Sequence, residues 1–136
     1  MDQTSMALLG YIAVMLMLLV SLATYRSILT LSGSHAANSF STTGEEVSLF
    51  CKRLCRAHAN CYESFPIVGG MLLFSIATNN TAITDPLAMY VLGGRLLQTL
   101  VHLSSTSILA VYARFGFFLV QLSIVAYWML LLIGVV

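Results

Sequence analysis

The residues best equipped for chemistry lie in Cys51–Pro66, CKRLCRAHANCYESFP. Arg53, Arg56, Asn60 and Glu63 fall at i, i+3, i+7 and i+10, so a helix would gather them into one narrow stripe. Guanidinium groups grip carboxylates in a bidentate fork and keep their charge in low dielectric. Glu63 would accept an ammonium. A small peptide-like anion with two carboxylates and one amine matches this inventory. The cations would also favour the thiolate form of a bound thiol. A second stripe, Arg95, Gln98 and His102 at i, i+3 and i+7, follows downstream, with Arg114 and Gln121 beyond it.

These polar groups stand out against their background. Of 136 residues, 59% are hydrophobic, six are Lys or Arg and five are Asp or Glu; mean hydropathy is +0.92. A water-soluble domain of this size could not hide so much apolar surface, so the expected solvent is lipid. A net charge of +1 argues against a nucleic-acid partner. Cys51, Cys55 and Cys61 are odd in number and make no disulfide framework. Cys51, Cys55 and His58 share the other face of the helix, but three ligands without an acid make a poor metal site, and none is expected.

The elements that must position the stripes read as an all-α, integral membrane four-helix bundle, one domain over 1–136. Helix 1 is expected from about Met6 to Leu31. Its leading segment carries Asp2 and no basic residue, which suits a retained helix better than a signal peptide. Two overlapping capping boxes, Thr42 with Glu45 and Thr43 with Glu46, predict a helix from 45 to about 78. Pro66 should kink it. Asp85-Pro86 reads as an N-cap followed by proline, starting a third helix over 86–103. The fourth is expected over 108–136. All six basic residues belong to the half nearer loops 1 and 3, while Asp2 and Asp85 mark the other. The positive-inside rule then makes the chain multi-pass, with loops 1 and 3 cytoplasmic and both termini on the opposite side.

Helical rise sets the depths from the non-cytoplasmic ends: roughly 27 Å for Asn60, 22 Å for Glu63, 24 Å for His102, 28 Å for Arg26 and 33 Å for Arg114. All four helices thus bring polar groups to one level just inside the cytoplasmic interface. Gln98 and Arg95 lie deeper. A lone arginine near mid-membrane costs about 2.5–3.5 kcal/mol or more, so Arg95 needs a partner, and Glu63 is the only acid expected within reach. From spacing alone, a ligand site and an internal polar lock between helices fit equally well.

The segment Arg53–Pro66, RLCRAHANCYESFP, resembles the helix 2 signature of the MAPEG family (membrane-associated proteins in eicosanoid and glutathione metabolism), E-R-x-x-R-A-x-x-N-x-x-E-x-x-P. Gly94–His102, GRLLQTLVH, is similar to the family's helix 3. The resemblance covers essentially the whole chain. It implies a homotrimer that binds glutathione between subunits and works with a hydrophobic, lipid-soluble substrate. Arg56, Asn60 and Glu63 would hold glutathione, with Arg53 and Gln98 in the binding set. Arg95 would brace the site, and Arg26 would contact the ligand from helix 1. Arg114 and His102 would stabilise the thiolate. Several positions depart from the pattern: Gln98 replaces the usual His, His102 a Tyr, Ala59 a second Arg, and Lys52 the leading Glu. The implied activity is that of a microsomal-type glutathione S-transferase or peroxidase. One alternative is a non-enzymatic lipid- or partner-binding member. A small multidrug transporter is a third reading, disfavoured because guanidinium groups would surround its only embedded carboxylate.

Overall fold

The computed structural model describes residues 1–134. Four helices follow in order: α1 Gln3–Leu31, α2 Leu49–Ala77, α3 Thr81–Ser104 and α4 Ile108–Leu132. The part of the fourth expected helix at 135 and 136 lies outside the described residues. Three of the four starts are capped by the preceding side chain. Asp2 accepts from Ser5 N at 2.6 Å, Ser48 from Cys51 N at 3.0 Å, and Ser107 from Ala110 N at 3.2 Å, each meeting a first-turn amide that has no helical partner.

Two expected starts are corrected. The boxes at Thr42 and Thr43 do not cap α2. Glu46 instead reaches back to Ser41, accepting from its backbone N at 2.6 Å and its Oγ at 2.5 Å. Glu45 pairs with Lys52 at 2.8 Å. Gly44, at φ +67°, turns the chain where a helix would have begun, because a residue in the left-handed region breaks helical hydrogen bonding. Asp85-Pro86 lies inside α3 rather than at its start. The Asp85 carboxylate is used by the neighbouring helix, accepting from Thr4 N at 2.8 Å and Thr4 Oγ1 at 2.6 Å. A cap for α1 is thus borrowed from α3. α2 runs unbroken through Pro66.

α1, α2 and α3 pack against one another, while α4 lies on α3 and the edge of α2 and does not touch α1. Their shared core includes Tyr11, Leu18, Leu54, Val68, Leu72, Val91 and Trp128, all buried. The outside is equally apolar, with Leu9, Ile12, Leu16, Leu19 and Val20 of α1 exposed. Apolar surface on this scale is a contact for lipid rather than water. α1 and α4 are long and apolar enough to cross a bilayer, at mean hydropathies of 2.5 and 2.1. α2 and α3 miss that standard because they carry the polar stripes. Since α4 meets only the edge of α2, a cleft opens between them, floored by α3.

Candidate functional site

The polar residues of α2 and α3 meet at the floor of this cleft. Asn60 and Ser64 are one turn apart on α2 and face Arg95 of α3. Arg95 Nη1 donates to Asn60 Oδ1 at 2.9 Å, and Nη2 donates to Ser64 Oγ at 2.7 Å. Its Cζ stands 4.9 Å from the centroid of the Tyr11 ring, within cation–π range. The Tyr11 hydroxyl shares a 2.8 Å hydrogen bond with Ser64 Oγ and donates to the Cys61 carbonyl at 3.2 Å. Arg95 is only 1% exposed, yet every partner is neutral.

The expected ion pair between Arg95 and Glu63 is therefore corrected. Glu63 is exposed, and Lys52–Glu45 is the one salt bridge among the described residues. An exposed carboxylate keeps its solvation, whereas Asn60 and Ser64 can follow a guanidinium inward because neither carries a charge to desolvate. Arg95 Nε is buried without a partner.

Above this floor, Asn60, Gln98, His102, Val111, Arg114, Phe115 and Phe118 line a cavity of about 210 Å³. A neighbouring cavity of about 150 Å³ shares Asn60 and Phe118 and adds Glu63, Ser64, Ile67 and Leu122. Arg114 Nη1 lies 2.9 Å from His102 Nδ1. A guanidinium has no lone pair to offer, so Arg114 donates and Nδ1 accepts, which puts the proton of the neutral ring on Nε2. Arg114, Arg56 and Arg95 all lie within electrostatic reach of His102. Gln121 Nε2 donates to Gln98 Oε1 at 3.0 Å and to the Phe117 carbonyl at 2.9 Å, tying α4 to α3. Gln121 Oε1 is buried and unpaired.

The cleft thus brings together Asn60, Glu63, Gln98, His102 and Arg114, with Arg95 beneath them. Arg56 is exposed and Arg53 half-buried, and neither lines either cavity. Within one chain, Arg26 lies apart from this cleft, on the other side of α2. There its Nη2 donates to the Ser41 carbonyl at 2.7 Å, and its Cζ lies 5.4 Å from the Phe40 ring centroid. Two members of the network escaped the sequence reading, Tyr11 and Ser64. A tyrosine within an otherwise aliphatic stretch of α1 was the available signal, since a buried phenol demands a hydrogen-bond partner. No group of three or more His, Cys, Asp or Glu among the described residues could hold a metal ion.

The family model that matches is the MAPEG family, over residues 5–134. The chain belongs to the MAPEG family. It is accordingly a membrane protein of the four-helix bundle type, related in general terms to glutathione and eicosanoid metabolism. No curated protein and no solved structure matches the chain. Within the family frame, Asn60 of the α2 stripe and Arg95 lie at the floor of the cleft, beside Gln98 and His102, where the sequence departs from the family pattern.

Proposed function

We propose that this MAPEG protein binds glutathione in the α2–α3–α4 cleft and conjugates or reduces hydrophobic, lipid-dissolved electrophiles with it, as a microsomal-type glutathione transferase or peroxidase. One observation carries the reading: the Arg114–His102 pair beside Asn60 and Gln98, in a cavity open to the apolar side of the bundle. Glu63 would take the ammonium of glutathione, and Arg56 and Arg53, one and two turns along α2 from Asn60, its carboxylates. Arg114 keeps donors beyond the one given to His102, and the Nε2–H of His102 supplies a second. Both would stabilise a thiolate held between them, lowering the barrier to attack on an electrophile. Arg95 braces Asn60 rather than touching the ligand.

In the same reading all four helices span the membrane. Loops 1 and 3 face the cytoplasm, both termini face the opposite side, and three chains assemble so that neighbours complete the site. The non-catalytic alternative draws support from Arg95, whose hydrogen bonds to Asn60 and Ser64 already form an internal lock. Turnover separates the two. With glutathione and a hydrophobic electrophile in detergent, Arg114→Ala and His102→Ala should each lower kcat/KM, Arg114→Ala by about 100-fold, the scale of losing a charge-stabilising donor. Undiminished rates in both variants would overturn the proposal.

A further inference from the structure

The face of α2 turned away from the cleft holds a second group of reactive side chains. Cys51 and Cys55 are one turn apart, and both press on the bare Cα of Gly44. A Cβ at Gly44 would lie 2.8 Å from Cys51 Sγ and 3.0 Å from Cys55 Sγ. Arg26 Nη2 donates to Cys55 Sγ at 3.5 Å, and Arg26 forms no salt bridge among the described residues. Cys55 lines a cavity of about 220 Å³ together with Arg26, His58 and Tyr62. Cys51 is fully buried behind it.

A cysteine that only fills space acts as a small apolar group and has no use for a guanidinium at its sulfur. A cation beside a thiol stabilises the thiolate, the form that reacts. Cys61 provides the contrast. It is just as buried, but lines none of these cavities and receives no hydrogen bond from a guanidinium. We propose that Cys55 and Cys51 are a redox-active thiol pair that an organic hydroperoxide oxidises to an intramolecular disulfide, Cys55 attacking and Cys51 resolving.

The Cys55 thiolate attacks the terminal oxygen of the hydroperoxide. An S–O bond forms as the O–O bond breaks, and the departing alkoxide takes up the proton that Cys55 released, leaving as the alcohol. Cys51 then attacks the sulfenic sulfur of Cys55. An S–S bond forms, and the hydroxide leaves as water with the proton of Cys51. Two thiols lose two electrons and one peroxide is reduced. Cys51 lies in the first turn of α2, where its amide is held by the Ser48 side chain rather than by a helical carbonyl, so the turn can yield as the pair closes. This site shares no residue with the lining of the α2–α3–α4 cleft.

The test is peptide mapping by mass spectrometry after the reduced, folded protein in detergent meets cumene hydroperoxide. The wild-type chain should form a Cys51–Cys55 disulfide that dithiothreitol reverses, while Cys61 stays a thiol. In Cys51→Ser the reaction should stop at a Cys55 sulfenic acid captured by dimedone. Arg26→Gln should slow oxidation about 10-fold, because it removes the guanidinium donor at the attacking sulfur. An unreacted Cys55 in the wild-type chain, or Cys61 oxidised as fast as Cys55, would overturn the proposal, and this arm needs no variant to fold. A folded Arg26→Gln protein oxidised at the wild-type rate would overturn it as well.

Discussion

At the Asp85 end of the bundle, the polar groups joining α1 to α3 meet one another directly: Asp85 accepts from both Thr4 N and Thr4 Oγ1, and the hydroxyls of Thr4 and Thr84 share a 2.8 Å bond. At the Arg114 end, valences are left over. Arg95 Nε and Gln121 Oε1 are buried without partners, and the bond from Arg114 leaves His102 with a free Nε2–H. Buried polar groups are nearly always paired in a finished structure. The Thr4–Asp85 contact has a structural explanation complete in itself, and Ser75 Oγ and Trp128 Nε1, buried without partners toward the same end, line neither of the polar cavities. The Arg114 end, where two cavities open beside its polar groups, has room for a ligand, although its lowest layer, Arg95 with Asn60 and Ser64, also holds helices together.

That overlap gives the largest expected effect. Arg95→Met would orphan Asn60 Oδ1 and part of Ser64 within the bundle, lowering stability by about 3 kcal/mol, since each buried group left unpaired costs about 1–3 kcal/mol. Reversible unfolding in detergent would measure it. A cost below about 1 kcal/mol would mean that water reaches this layer. Asp85→Ala should cost less, about 1–2 kcal/mol, the usual penalty for a lost helix cap. Because Asp85 lies at the opposite end from Arg114, its removal should leave the response to glutathione unchanged, and a lost response would dissolve the distinction between the two ends.

The smallest effect belongs to loop 1. Hydrogen bonds from the Ser41 side chain and then its backbone hold the Glu46 carboxyl below its usual value of 4.5. A carboxyl depressed by folding contributes its anchoring above the unfolded value and loses it as the pH falls through the folded one. Amide-exchange protection at Ser41 should therefore be complete above pH 4.5 and fall away below it. Glu46→Gln should remove the step, and a step that persists in that variant would assign it elsewhere.

Much of this was legible before the coordinates. Four helices followed from apolar runs separated by small polar loops, and the stripes of α2 and α3 followed from spacings of three and four residues. The faults share a cause: local patterns do not say which element will use a side chain. Asp85 looked like the cap of its own helix and caps α1. Glu46 looked like a capping-box acid and holds Ser41 across a glycine turn. Helical rise gives Arg26 its height but not its direction, and within one chain it lies on the far side of α2 from the cleft. Arg95 was known to need a partner, yet charge alone nominated Glu63. The cheaper solution to burial was a pair of neutral acceptors under an aromatic ring, and that depended on Tyr11, eighty-odd residues away in the chain.

Thermal unfolding in detergent with and without glutathione tests the central claim most directly. Glutathione at 100 times its Kd should stabilise the wild-type protein by roughly 2.7 kcal/mol, and Arg114→Gln should respond less at the same concentration. A folded wild-type protein whose unfolding does not shift at millimolar glutathione would contradict the assignment of this cleft to glutathione.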